Sequence, residues 1–232
     1  MGAKTDLLLV EDDETLSGVL ALHLEAAGYA VRAVEDGAGA LASCEAATPD
    51  VVLLDVMLPG KSGIEVCQEL RARYGARMGV VILTALGSEP DVVVGLDAGA
   101  DDYVVKPIRP RELIARLRSL TRRLTLAPAS ESRALVFGPL RVDEDKRELD
   151  VRGAPIHLTA TEWDLLSCLV REPKRVFSRA ALLERVFDTT HRGYARNVDC
   201  HVARLRRKLE AAKVVGAIET VHGAGYRFVP PA

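Results

Sequence analysis

Four stretches of the chain run apolar and then stop at a polar residue: Leu7 to Val10 at Glu11-Asp12, Val51 to Leu54 at Asp55, Val80 to Leu83 at Thr84, and Tyr103 to Val105 at Lys106. Short Val-rich runs alternating with helical patterns predict buried strands of a parallel sheet with helices on both faces. Ligands bind such sheets beyond the carboxyl ends of the strands. Three carboxylates, one hydroxyl and one ammonium are therefore expected to meet at one edge.

The second half is patterned differently. From Leu135 to Leu158, brief apolar stretches alternate with turn residues, which predicts a small antiparallel sheet. Thr159 followed three residues later by Glu162 is a capping-box signature, opening a helix over Glu162 to Arg171, and Ser178 caps a second through Val186. A third helix is expected over roughly Arg196 to Ala211. Along it Val198, Val202, Leu205 and Leu209 form an apolar stripe, with Asn197, His201, Arg204 and Lys208 as a neighbouring polar stripe and Arg196, Arg206 and Arg207 flanking them. Glu219 to Phe228 then reads as a strand, a glycine turn and a returning strand. Two helices, a basic helix and a hairpin follow the order of a winged helix-turn-helix.

Composition adds domain count and partners. The chain has 232 residues, 48% hydrophobic and 28% charged, which suits two domains, and no run of about 18 apolar residues that would span a membrane. No secretory leader is expected, and the scattered Cys44, Cys67, Cys168 and Cys200 suit reduced thiols in a cytoplasm. The net charge of -2 conceals an asymmetry: residues 1–120 hold 11 Lys and Arg against 19 Asp and Glu, whereas residues 135–232 hold 17 against 13. From His191 to Lys208 there are six basic residues and one acidic, Asp199. A basic helix beside a wing points to DNA. The expected boundaries are a first domain over 1–123, a linker over 124–134 and a second domain over 135–232.

At the strand edge, crowded carboxylates call for a proton or a cation between them. Glu11, Asp12 and Asp55 are hard oxygen donors suited to Mg²⁺, and with no Cys or His at these strand ends a zinc or copper site is not expected. A phosphoryl group on Asp55 would give Thr84 and Lys106 a task, since its remaining oxygens need donors. A phosphatase built on an aspartyl nucleophile would need a second Asp where Met57 stands, and a P-loop ending at Gly60-Lys61-Ser62 would need a glycine where Asp55 stands. Neither enzyme is expected.

These elements together, Glu11-Asp12, Asp55 in LLDVMLPG, Thr84-Ala85 and Lys106-Pro107, resemble the receiver domain of two-component response regulators. The C-terminal motifs LTATE (158–162), NVDCHVARLRRKL (197–209) and GAGYRF (223–228) narrow the resemblance to the OmpR/PhoB type, an α/β doubly wound, five-stranded parallel receiver followed by a winged helix-turn-helix effector. The resemblance implies Asp55 as phosphoacceptor, Glu11, Asp12, Asp55 and the Met57 carbonyl as Mg²⁺ ligands, Thr84 and Lys106 as phosphoryl-oxygen donors, and Tyr103 as an aromatic switch that turns inward. It implies DNA contacts from Arg196, Asn197, His201, Arg204, Arg206, Arg207, Lys208, Thr220 and His222. It also implies a homodimer on phosphorylation through Val93, Leu96, Asp101, Asp102, Glu112, Arg116 and Arg123. The implied partners are a sensor histidine kinase, tandem direct repeats of double-stranded DNA, and RNA polymerase reached through residues 188–194. The family often has Arg where Ala203 and His222 stand, which shifts the expected contacts onto His201, Arg204 and Arg206. The competing expectation is a regulator active without phosphate, whose receiver serves only to dimerise.

Overall fold

The computed structural model describes residues 4–107, 109–125, 134–187 and 195–231, and the side chains of residues 76, 123–125 and 195–196 lie outside that description. The chain divides into two units, one ending at Leu124 and the other beginning at Thr125. In the first unit strands and helices alternate: β1 (Asp6–Val10), α1 (Glu14–Ala26), β2 (Ala30–Val34), α2 (Gly37–Ala46), β3 (Val51–Leu54), α3 (Gly63–Tyr74), β4 (Gly79–Thr84), α4 (Glu89–Asp97), β5 (Asp102–Val105) and α5 (Pro110–Thr125). The strands form one parallel sheet in the order β2-β1-β3-β4-β5.

The four apolar runs are β1, β3, β4 and β5, with β3 and β4 wholly buried as the centre of a covered parallel sheet requires. The fifth strand, β2, announces itself weakly because it holds no fully buried apolar run. Its Ala30 and Ala33 are exposed, and its central Arg32 turns to Asp6 at 3.0 Å and to the Ser43 hydroxyl at 2.8 Å. The register sets Val10 beside Leu54 and Leu54 beside Ile82. The residues that follow β1 and β3 are thus brought level, at the point where the strand order reverses.

The second unit opens with an antiparallel sheet of β6 (Ala134–Phe137), β7 (Leu140–Asp143), β8 (Glu148–Val151) and β9 (Ala154–Ile156). Three helices follow, α6 (Ala160–Val170), α7 (Arg179–Phe187) and α8 (Ala195–Ala211), and then the hairpin β10 (Ile218–Val221) and β11 (Gly225–Phe228). α6 begins two residues before Glu162 because Thr159 is its cap: the Thr159 amide donates to Glu162 Oε2 at 2.8 Å, and Thr159 Oγ1 accepts from the Glu162 amide at 3.3 Å. The last strand of the sheet ends at Ile156, and Leu158 reaches the core from the connecting segment. One apolar core joins the sheet to the helices and the hairpin, with Trp163, Leu166, Phe177, Val198, Leu205 and Phe228 among its members. Residues 126–133 of the expected linker lie outside the described residues, while α5 runs to Thr125.

Candidate functional sites

The strand edge assembles as the sequence pattern requires. Glu11, Asp12 and Asp55 hold carboxylate oxygens within 4.8 Å of one another. Glu11 and Asp55 are buried, at 2% and 5% exposure, whereas Asp12 is open to solvent. Lys106, at the end of β5, places its Nζ 2.6 Å from Glu11 Oε2 and 2.5 Å from Asp55 Oδ2. Burial pushes the Glu11 carboxyl up, and the Lys106 hydrogen bond and charge offset only part of that rise. Burial alone would lower the Lys106 ammonium, but the hydrogen bonds and charges of Asp55 and Glu11 hold it above the ordinary lysine value. The pocket therefore keeps one cation locked against two carboxylates, the arrangement that lets buried charges persist.

The loop after β3 is shaped around Asp55. Asp55 Oδ1 accepts from the Met57 amide at 3.0 Å, and the Gly63 amide donates to the Val56 carbonyl at 3.0 Å. A Cβ on Gly63 would stand 1.9 Å from the Asp55 carbonyl oxygen. Only glycine lets α3 start so close to the acceptor strand. Thr84 is fully buried at the end of β4, where its Oγ1 accepts from the Leu86 amide at 3.4 Å.

Tyr103 is inward-facing, with 2% exposure, and its hydroxyl donates to the Leu86 carbonyl at 2.8 Å. The seat exists because α4 carries Gly95 opposite it, where a Cβ would lie 2.5 Å from the ring. Burial, followed by the charges of Asp91 and Asp55, pushes the phenol up to about 12.

The residues of the expected pairing surface differ in exposure. Asp101, Asp102 and Arg116 are buried and tied within the chain: Arg71 binds Asp101, which also accepts from the Val80 amide at 2.9 Å, and Arg116 reaches Asp102 at 2.9 Å and Glu112 at 3.1 Å. Carboxylates withdrawn from water must be paired, which Arg71 and Arg116 do here. Leu96 is also buried, because that side of α4 faces the sheet, whereas Val93, Val94 and Val105 are exposed. The Arg123 side chain lies outside the described residues.

On α8 the predicted DNA-contact residues differ in exposure. Asn197, His201 and Arg204 are buried at 3%, 0% and 6% exposure. The cause is Glu162 on α6, a carboxylate with no exposed surface, which draws in Arg204 Nε at 3.2 Å and Lys208 Nζ at 2.6 Å. Lys208 also donates to the His157 carbonyl at 2.8 Å, and the His201 ring lies against Phe187 with centroids 5.8 Å apart. Burial would raise the Glu162 carboxyl, but the Arg204 and Lys208 charges, with hydrogen bonds from Lys208 and Thr159, hold it below the usual value. The apolar stripe faces the core, and of the stripe beside it Asn197, His201 and Arg204 do so too, while Lys208 is half-buried.

The remaining predicted residues divide between the wing and open solvent. Arg206 is tied to the hairpin, donating to the Ile218 carbonyl at 2.9 Å and to Thr220 Oγ1 at 2.8 Å. Thr220 and Arg207 are exposed, as is His222 at the tip of the hairpin. The Arg196 side chain and the whole of 188–194 lie outside the described residues. Sequence reasoning missed a clamp: Asp199 Oδ1 accepts from the Tyr226 hydroxyl at 2.6 Å and from Arg179 Nε at 2.7 Å, with the Arg179 guanidinium 5.0 Å from the Tyr226 ring. It fastens hairpin, α7 and α8 together. Asp199, the one acidic residue between His191 and Lys208, was its visible signal.

Residues 7–118 match the model of the response regulator receiver domain, and residues 153–228 that of the C-terminal domain of transcriptional regulatory proteins. The chain is 44% identical over 228 residues to the sensory transduction protein RegX3 of Mycolicibacterium smegmatis, covering 97% of this chain and 99% of that one. It is 42% identical over 226 residues to the DNA-binding response regulator MtrA of the same organism, covering 97% of each. Among solved structures, the response regulator DrrB of Thermotoga maritima, an OmpR/PhoB homolog, aligns over 98% of this chain and 100% of its own at 30% identity, with a TM-score of 0.53.

Proposed function

The chain belongs to the two-component response regulators of the OmpR/PhoB type, phosphorylation-dependent regulators of transcription, and from that premise we propose that Asp55 is the phosphoacceptor whose modification controls the winged-helix domain. The observation that carries this is the pocket itself, in which Glu11, Asp12, Asp55 and Lys106 converge at the strand ends, with Thr84 at the end of the adjoining β4. An Asp55 oxygen forms a bond to phosphorus as the bond from phosphorus to the donor histidine's nitrogen breaks, and that nitrogen leaves with the electron pair. Lys106, already on Asp55, supplies a positive charge to a phosphoryl oxygen, and the Thr84 hydroxyl supplies a hydrogen-bond donor.

The donor set fits Mg²⁺, being all oxygen, and Glu11, Asp12, Asp55 and the Met57 carbonyl would hold it. When bound, Mg²⁺ neutralises charge on the transferring group. The partners proposed are a sensor histidine kinase for the receiver, and tandem direct repeats of duplex DNA with RNA polymerase for the effector, in the cytoplasm. A phosphorylated homodimer would use the exposed Val93, Val94 and Val105 rather than the buried ion pairs. No helix among the described residues is long and apolar enough to cross a membrane.

Acetyl phosphate with Mg²⁺ tests the acceptor by intact mass. The wild type should gain one phosphoryl group, and Asp55→Asn or added EDTA should abolish the gain. Modification of Asp55→Asn at the wild-type rate would show the acceptor to lie elsewhere. Operator binding by Asp55→Asn equal to that of the phosphorylated wild type would favour a receiver that only dimerises.

A further inference from the structure

The face of α8 directed away from the core carries Cys200, Ala203 and Arg207, spaced three and four residues apart on one strip of the helix. Ala203 and Arg207 are exposed and Cys200 is half-buried. The cations that spacing alone would send to base edges are engaged elsewhere: Arg204 and Lys208 by Glu162, and Arg206 by the Ile218 carbonyl and Thr220. The middle of the outward strip is therefore a single methyl group.

A methyl group neither donates nor accepts a hydrogen bond. In the major groove the feature it matches best is the 5-methyl of thymine, since the other prominent groups on the base edges there are donors or acceptors. Such an edge set against alanine gives up its water and gains no partner, which costs free energy. A side chain one carbon long also lets the helix backbone come near the groove floor. Resting on the reading of α8 as the DNA-facing helix, we propose that Ala203 is a specificity-determining residue that selects thymine at the base pair beneath the middle of α8 by contact between methyl groups. Arg207, one turn further along the same strip, then meets the neighbouring base pair or phosphate.

The test uses the full-length chain treated with acetyl phosphate and Mg²⁺, selecting duplexes from a random pool, in wild-type form and as Ala203→Arg. Arg is a good helix former and the position is exposed, so the variant should fold. The best wild-type duplex is then remade with each thymine replaced singly by deoxyuridine, which deletes only the methyl group. One position in each half-site should lose about fourfold in wild-type affinity, the worth of one buried methyl. At that position 5-methylcytosine should bind tighter than cytosine, and Ala203→Arg should ignore deoxyuridine and select guanine instead. A selected motif in which no thymine is sensitive to deoxyuridine, or an Ala203→Arg selection identical to wild type, overturns the assignment while leaving DNA recognition by α8 in place. Failure of the wild type to enrich any sequence removes the DNA-facing reading and the assignment together.

Discussion

Replacing Glu162 by Gln keeps the shape of the side chain and its ability to cap α6, since Gln serves in a capping box as Glu does. What it removes is the negative charge that Arg204 and Lys208 share, their side chains 7% and 31% exposed against 0% for Glu162. Deleting one member of a buried ion pair costs about 3–5 kcal/mol because the other is left uncompensated. Lys208 can turn toward water, so its share is that of a surface pair, about 0–1 kcal/mol. Arg204 cannot, and the loss should be about 3 kcal/mol, the low end of the buried range. The chain supplies its own probe. Trp163 is its only tryptophan and is 5% exposed in α6, so its emission follows unfolding of the effector unit within the intact protein. For a unit of this size the melting temperature should fall by about 12–24 °C. Adding Arg204→Met to Glu162→Gln should recover most of the loss. The depressed Glu162 carboxyl also gives a pH signature with a defined sign: its stabilisation is present above the unfolded value of 4.5 and is lost as pH falls from there through the lower folded value. The variant should lack that acid-dependent component. A shift below about 4 °C, equivalent to roughly 1 kcal/mol or less, with unchanged acid sensitivity, would refute the claim that Glu162 organises α8.

Gly95→Ala places a Cβ where the Tyr103 ring lies, at 2.5 Å. It should destabilise the receiver unit by about 1–3 kcal/mol and bring the Tyr103 phenol down from about 12, read by circular dichroism and alkaline ultraviolet titration; an unchanged phenol would mean that the seat does not depend on glycine. Tyr226→Phe keeps the ring between Arg179 and Arg206 but removes the donor to Asp199. The effector transition reported by Trp163 should weaken by about 1 kcal/mol, and no loss would show that the clamp carries no stability.

The order of elements, the parallel sheet and the pocket were legible in the sequence because each depends on one strand alone. An apolar run buried on both faces has to end where the chain leaves the sheet, and the polar residue at that end has to face the edge where ligands bind. Glu11, Asp55, Thr84 and Lys106 could thus be placed at that edge without knowing how neighbouring strands align. The Thr159 cap was equally local, needing only its spacing to Glu162. Tertiary structure decided the remainder. β2 was faint because an edge strand exposes its alanines and carries Arg32 at its centre. Spacing placed Asn197, His201, Arg204 and Lys208 on one strip of α8, but helical periodicity cannot state how wide a strip its neighbours cover. That depended on Glu162, 42 residues before Arg204 in the chain, whose buried charge pulls the basic strip inward. Asp101, Asp102 and Arg116 likewise became internal ties, because a carboxylate's partner is whichever cation the fold brings within reach once water is gone.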